Sequence, residues 1–280
     1  MENTTIYYFT GTGNSLQVAK ELQQRLTGSR LIPIVKALKD EMHSNDSKCI
    51  GFVFPCHGFT LPIPVKRFID KFDPSESEYL FAVATRGGTS VIAFDYISAV
   101  FSKKNKSIDS TFIINMPGND PKFKDFTMPS EEELDGFDRR LTEECERISK
   151  IVSDRSEFRC STNGSVLVKN PFLEGILEKL IAFSVHNIAP RERNYFYITD
   201  DCCSCGICSK VCTSGKISIK NGRPLWERSR DCYMCYACLN FCPSGAIQIH
   251  NKYYMKSYTA QNKRYTNRHV KPADIEDQKG

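Results

Sequence analysis

The chain has 280 residues, room for about two domains, with 40% apolar residues and a formal charge of +5. No stretch approaches the roughly 18 consecutive apolar residues of a membrane span, and Met1-Glu2-Asn3-Thr4-Thr5 lacks the basic and long apolar regions of a secretory signal. A soluble cytoplasmic protein is expected, so its 13 cysteines point to metal ligation rather than disulfides. The positive charge comes with no nucleic-acid-binding motif, and no nucleic-acid partner is expected.

Thr5-Ile6-Tyr7-Tyr8-Phe9 is a continuous apolar run of the kind that forms a strand buried on both faces. Thr10-Gly11-Thr12-Gly13-Asn14-Ser15 follows, and then Leu16, Ala19, Leu22 and Leu26 fall at helical spacing. Strand, glycine–hydroxyl loop and helix together suit an anion at a helix N-terminus. A P-loop would need Lys, which is missing, and a dinucleotide fingerprint would need a third glycine where Leu16 stands. The flavodoxin type remains, in which hydroxyls and amides hold an FMN phosphate without a cation. A plain strand–turn–helix connection is the competing reading.

Leu31-Ile32-Pro33-Ile34 reads as a short second strand, at an edge because of its proline. Ile50 to Phe54 is a third strand, closed by the turn Pro55-Cys56-His57-Gly58, with Val65, Phe68, Ile69 and Phe72 on the next helix. Tyr79 to Ala84 is a fourth strand, followed by Thr85-Arg86-Gly87-Gly88-Thr89 and an apolar helix from Ser90 to Lys103. Ser110 to Ile114 is a fifth strand. Ser130 and Glu133 form a capping box for a helix with Leu134, Phe137, Leu141, Cys145, Ile148 and Val152 on one face. This alternation predicts an α/β fold with a doubly wound, five-stranded parallel sheet over residues 1–153. Ligands of such sheets bind beyond the carboxyl ends of the strands. The first loop would then take the phosphate, and the turns at Pro55–Gly58 and Thr85–Gly88 would flank the flavin ring.

Arg86 reads either as a cation beside the flavin pyrimidine edge or as a surface residue. Cys56 reads as a flavin contact or a space-filling thiol, and His57 as a partner for a flavin oxygen or a solvent-facing turn residue. Gly58, Gly87 and Gly88 suit close backbone approach or positive φ.

Residues 154–194 read as a linker, polar over 154–164, and an amphipathic helix bearing Phe172, Leu173, Ile176, Leu177, Leu180, Ile181 and Phe183. Packing between two domains is its expected role, with a membrane-surface role as the alternative. Residues 195–250 begin with a strand at Tyr195–Ile198 and hold two cysteine runs. Cys202-x2-Cys205-x2-Cys208-x3-Cys212 recurs 30 residues later as Cys232-x2-Cys235-x2-Cys238-x3-Cys242-Pro243. The flanks repeat too: Ser214-Gly215-Lys216-Ile217 answers Ser244-Gly245-Ala246-Ile247, so the segment is an internal duplication.

Three thiolates at this spacing wrap one [4Fe–4S] cube, and the fourth crosses to the other. One cluster is therefore assigned to Cys202, Cys205, Cys208 and Cys242, and a second to Cys232, Cys235, Cys238 and Cys212. Cys203 falls off the pattern and reads as a bystander. Zinc sites prefer separated Cys pairs or Cys/His sets. With two clusters and a flavin phosphate at about −2 each, the net charge would be about −1. Residues 251–280 form a basic, aromatic tail with Tyr253, Tyr254, Tyr258 and Tyr265, expected to fold back or to meet an acidic partner and to fray over Ile275–Gly280.

The cysteine run resembles bacterial two-cluster ferredoxins, departing from them at Thr213, where the family usually has Pro. Together with the Thr10–Ser15 loop, the chain over residues 4–250 resembles the flavodoxin-domain ferredoxins of anaerobes, the iron–sulfur flavoproteins. That resemblance implies an α/β flavodoxin-like domain joined to a small α+β ferredoxin-like domain, FMN as cofactor, and electron transfer as the activity. The expected partner is a redox protein serving as donor or acceptor. Two alternatives stand beside it: a flavin-dependent reductase of a quinone or nitro compound, and a ferredoxin whose N-terminal domain holds no flavin and docks a partner.

Overall fold

The computed structural model describes residues 4–165, 168–192, 194–252 and 255–280. Met1 to Asn3, and Tyr253 and Tyr254 of the tail, lie outside the described residues.

The first half alternates strands and helices: β1 (Thr4–Tyr8), α1 (Asn14–Arg25), β2 (Arg30–Pro33), α2 (Ile34–Lys39), β3 (Cys49–Pro55), α3 (Ile63–Lys71), β4 (Tyr79–Arg86), α4 (Ala93–Ser102), β5 (Ser110–Asn115), α5 (Glu131–Ser153) and β6 (Phe158–Arg159). The strands form one sheet in the order β2-β1-β3-β4-β5-β6, parallel throughout. The order 2-1-3-4-5 is that of flavodoxin-like doubly wound sheets, whose ligand crevice opens where the connections reverse direction, between β1 and β3.

Strand periodicity explains the two apolar faces. Ile6, Tyr8, Val53, Phe81 and Val83 point to one side, where α1 and α5 cover them. Tyr7, Phe9, Phe52, Phe54, Ala82 and Ala84 point to the other, under α2, α3 and α4. Both the capping box and the edge position of Pro33 are observed.

Several expectations change. The sheet has a sixth strand, β6, inside the stretch expected as linker; two residues are too few to leave a periodic trace. Beyond it the chain is laid against the β4 turn, through Val91 N–Thr162 O (3.0 Å) and Ser165 N–Gly88 O (2.9 Å). Ile34 opens the short helix α2 rather than closing β2.

Helix α6 (Pro171–Asn187) does not bury its apolar residues between the domains. Phe172, Leu173, Ile176, Leu180 and Phe183 are exposed, whereas Glu174 and Glu178 are buried. Polar groups hold it down: Glu174 accepts from the Val168 amide, Glu178 from the Ser90 hydroxyl, and the His186 ring bonds the Leu61 carbonyl.

The second half comprises β7 (Phe196–Ile198), α7 (Ile207–Lys210), β8 (Ile217–Lys220), β9 (Arg223–Trp226), α8 (Ala237–Asn240), β10 (Ile247–Ile249) and α9 (Pro272–Glu276). β7 pairs with β10 and β8 with β9, both antiparallel, around a small core that includes Tyr195, Phe196, Ile217, Leu239, Ile247 and Ile249.

The two halves share apolar cores. Val211, Ala237, Val270 and Ile275 join the α1/α5 core, and Tyr233 and Cys235 pack against the other. The tail folds back onto the sheet domain, and its last residues are not frayed: Ile275 and Gln278 are 0% exposed. Among the described residues, no helix is long and apolar enough to cross a membrane.

Candidate redox site

The duplication in sequence is a duplication in backbone. Positive φ recurs at the same offset of 30: Ser204 (56°) and Met234 (51°), Gly206 (73°) and Tyr236 (56°), Gly215 (64°) and Gly245 (64°). These left-handed residues turn the chain so that successive cysteines face inward from one loop. Tyr236 holds this conformation without being glycine. Its hydroxyl bonds Tyr195 (2.7 Å) and Lys122 (2.9 Å), and its ring stacks on Tyr195, which keeps it in place.

Cys202, Cys205, Cys208 and Cys242 line one small cavity. Cys212, Cys232, Cys235 and Cys238 line a second. The fourth cysteine of each run thus lies with the first three of the other. Cys203 also borders the first cavity. None of the thirteen cysteines is joined in a disulfide.

Among the described residues, no group of three or more His, Cys, Asp or Glu stands close enough to hold a metal ion as placed. Each set of four thiols lines one pocket. Burial, helped by the charge of neighbouring thiolates, pushes the Cys208 thiol up to about 11 and those of Cys232 and Cys235 up to about 12. Thiols raised in this way ionise together with their neighbours only around a cationic core. The Met234 amide points at Cys232 Sγ (3.4 Å), and the Ile207 and Ala237 amides serve Cys205 and Cys235 alike. The residues fit iron–sulfur clusters.

A third cavity lies at the carboxyl edge of the sheet. Thr10, Gly11, Thr12, Asn14 and Ser15 line it from the loop after β1, Pro55, Cys56 and His57 from the loop after β3, and Thr85, Arg86 and Gly87 from the loop after β4. Gly13 sits behind the loop, Gly58 faces Ile181 and Val185 of α6, and Gly88 bonds Ser165; none of these three borders the cavity. Pro117, Gly118 and Asn119, which follow β5, do border it and were missed. The rule that ligands sit at strand carboxyl ends applied to that turn as well.

Helix α1 starts without a side-chain cap, at Gly13 with φ 107°. Among the described residues, the amides of Gly11, Thr12, Asn14 and Ser15 find no acceptor. The Thr10 hydroxyl accepts from the Gly13 amide (3.1 Å) and the Thr12 hydroxyl from Asn119 (2.8 Å), so each keeps its own proton to donate. Uncapped amides and donating hydroxyls at a helix N-terminus fit a phosphate. His57 is half-buried rather than wholly solvent-facing. Its Nδ1 is buried with no partner among the described residues, and burial, with the nearby Lys122 and His186, lowers its pKa to about 4. A neutral imidazole with an unmet ring nitrogen fits a polar ligand edge.

Cys56 is a weakly acidic thiol: burial pushes it up to about 12, and its Sγ lies 3.7 Å from the Ser90 carbonyl. The Arg86 guanidinium is engaged by the carbonyls of Thr89 (2.8 Å), Thr162 (3.3 Å) and Asn163 (2.7 Å) and by Asn115 (3.0 Å). It ties the β4 turn to the segment beyond β6, and Arg86 also borders the cavity.

The second cysteine cavity and the sheet cavity meet at one backbone contact. A β-carbon on Gly11 would run into the Cys235 carbonyl, so only glycine admits the cysteine loop here. Tyr233, between Cys232 and Cys235, packs edge-on against Phe9 at 6.3 Å. The Arg67–Asp231 ion pair closes the same side.

Residues 201–247 match the family model of the 4Fe-4S dicluster domain. A search of curated proteins gives no match. Among solved structures the chain is similar to an FMN-dependent NADH-azoreductase from Bacillus anthracis in complex with FMN. The identity is 11%, covering 52% of this chain and 99% of that one, with a TM-score of 0.33. It is similar to a flavodoxin from the domain Archaea at 14% identity, covering 52% and 98%, with a TM-score of 0.34. It is also similar to part of rubredoxin oxygen:oxidoreductase from Desulfovibrio gigas at 11% identity, covering 55% and 37%, with a TM-score of 0.37. Likenesses this faint carry no argument, and the flavodoxin-like fold rests on the strand order. The chain joins that α/β fold to a 4Fe-4S domain, which makes it a redox protein.

Proposed function

We propose that this chain is an electron-transfer iron–sulfur flavoprotein, with two [4Fe–4S] clusters and one FMN in a single polypeptide. Cys202, Cys205, Cys208 and Cys242 would hold the outer cluster, and Cys212, Cys232, Cys235 and Cys238 the inner one. The amides of Gly11, Thr12, Asn14 and Ser15, with the Thr10 and Thr12 hydroxyls, would bind the FMN phosphate. The turns at Pro55–His57 and Thr85–Gly87, with Pro117–Asn119, would border its ring. When bound, the clusters supply single-electron exchange and the flavin supplies both one- and two-electron exchange.

The contact between Gly11 and Cys235 carries this reading, because it sets the inner cysteine loop directly against the phosphate loop. The shared apolar cores support a fixed distance between the two sites. The neutral His57 leaves a ring nitrogen for the flavin edge, while Arg86 holds the β4 turn in shape. The outer set opens to the surface, where Cys203 and Cys205 are exposed, and a redox protein would exchange electrons there. Anaerobic quantitation of iron, acid-labile sulfide and flavin tests the reading. It predicts about eight iron, about eight sulfide and about one FMN per chain. Full iron without flavin, even after incubation with FMN, would overturn the flavin assignment in favour of an N-terminal docking domain.

A further inference from the structure

The phosphate loop is held from outside by the far end of the chain. Gln278 is 0% exposed, and its side-chain amide bonds both backbone groups of Thr10, accepting from N at 3.0 Å and donating to O at 3.2 Å. The Asn267 amide donates to the Thr12 carbonyl (2.8 Å). The Asn267 side chain reaches Asn14 Oδ1 (3.2 Å) and Gln17 Oε1 (2.6 Å), and the Tyr265 hydroxyl donates to Asn14 Oδ1 (2.9 Å). Asn14 gives one N–H of its own amide to the Pro117 carbonyl (3.0 Å), so its oxygen is saturated and its nitrogen tethered. Asn267 and Val270 fill the space beside Gly13.

The strap is itself anchored on the cysteine domain. The Tyr265 amide donates to Asn240 Oδ1 (3.2 Å) in α8, and Arg264 donates to the Ile247 carbonyl (3.1 Å). Lys20 pairs with Asp274 at 2.9 Å on the other side. The loop therefore owes its shape to residues some 250 positions away, which arrive only after the cysteine domain has been laid down.

We infer that Tyr265, Asn267 and Gln278 are positioning residues of the anion site: they hold the 10–15 loop with its free amides converging, and so set how tightly the site grips a phosphate-bearing cofactor. This rests on the FMN reading for the identity of the anion, but not for the positioning. A loop released from these bonds spreads its amides over several conformers, and affinity falls by the fraction that remains competent. The direct contact with any ligand stays with the loop itself.

The test uses Tyr265→Phe and Gln278→Met in the full-length, cluster-loaded chain, two substitutions that keep side-chain volume and so keep the fold. Hydrogen exchange of the amides from Thr10 to Gln17 is measured without flavin, and FMN dissociation by flavin fluorescence. Each variant is expected to speed exchange in the loop by about tenfold and to weaken FMN by about fivefold, with cluster absorbance unchanged. Unchanged loop exchange in both variants overturns the inference, and so does faster exchange with unaltered FMN affinity. If the wild-type chain binds no FMN, the flavin reading fails, and the exchange arm alone decides whether the strap holds the loop. A variant that loses cluster absorbance is replaced by Asn267→Asp, which keeps the backbone bond to Thr12 and breaks the donation to Asn14.

Discussion

The two cysteine cavities come from one duplicated motif with matching backbone turns, yet they sit in unlike surroundings. The first is bordered by exposed Cys203 and Cys205 and by the β8–β9 hairpin. The second carries Tyr233 and Cys235 into the apolar cores of the α/β domain and touches the 10–15 loop at Gly11. Duplication supplies ligands in pairs, and packing then assigns one set to the surface and the other to the interior. The difference lies in the residues between the cysteines: Cys203 and Ser204 in the outer run stand where Tyr233 and Met234 stand in the inner one.

The sharpest way to break this comparison is to remove a crossing ligand. Cys242→Ser is expected to abolish the outer centre and lower iron from about eight to about four per chain, leaving the inner centre in place. Metal analysis with low-temperature EPR of the reduced protein checks this, and loss of the inner centre instead would refute the crossed assignment. Next in size is Gly11→Val, whose side chain would meet the Cys235 carbonyl. It should cost about 1–3 kcal/mol in denaturant unfolding and open the interface to limited proteolysis, as overpacking does. A variant as stable and as resistant as the parent would show that the inner cysteine loop is not seated on the 10–15 loop.

A third, smaller effect concerns pH. His57 titrates near 6.5 when unfolded and at about 4 in the fold. Between these values the unfolded chain binds the extra proton, so stability is full above pH 6.5 and declines as pH falls toward 4. The decline is at most about 3 kcal/mol. Unfolding midpoints across that range should flatten in His57→Gln; an unchanged slope would place the acid sensitivity elsewhere. The smallest effect belongs to Cys203, which borders the outer cavity but has no counterpart in the repeat. Cys203→Ser should leave iron content unchanged, and a loss of about four iron per chain would make it a ligand in place of a neighbour.

What could be read in the sequence follows from how locally each feature is encoded. Cysteine spacing and its recurrence in Cys202–Cys212 and Cys232–Cys242 are written within a few residues, and the loops after β1, β3 and β4 end apolar runs that stand out. The turn at Pro117–Asn119 is equally local, since it follows the fifth strand as the other loops follow theirs, but it has no run of hydroxyls to mark it. β6 was too short to show a period. The burial of Gln278 and the grip of Asn267 and Tyr265 on Asn14 had no local sign at all. Such contacts join opposite ends of the chain, and a polar, basic tail looks the same whether it frays or packs. α6 misled in the other direction: its apolar spacing suggested a buried face, but Glu174 and Glu178 found partners inside and turned that face outward.

In the proposed function the cysteine centres and the flavin exchange electrons inside one chain. Anaerobic photoreduction by a one-electron donor, followed at cluster and flavin wavelengths over a hundredfold dilution of the protein, measures that exchange. Reducing equivalents are expected to redistribute between the chromophores at a rate independent of protein concentration. A rate that rises in proportion to concentration would mean exchange between separate molecules and would refute the intramolecular relay.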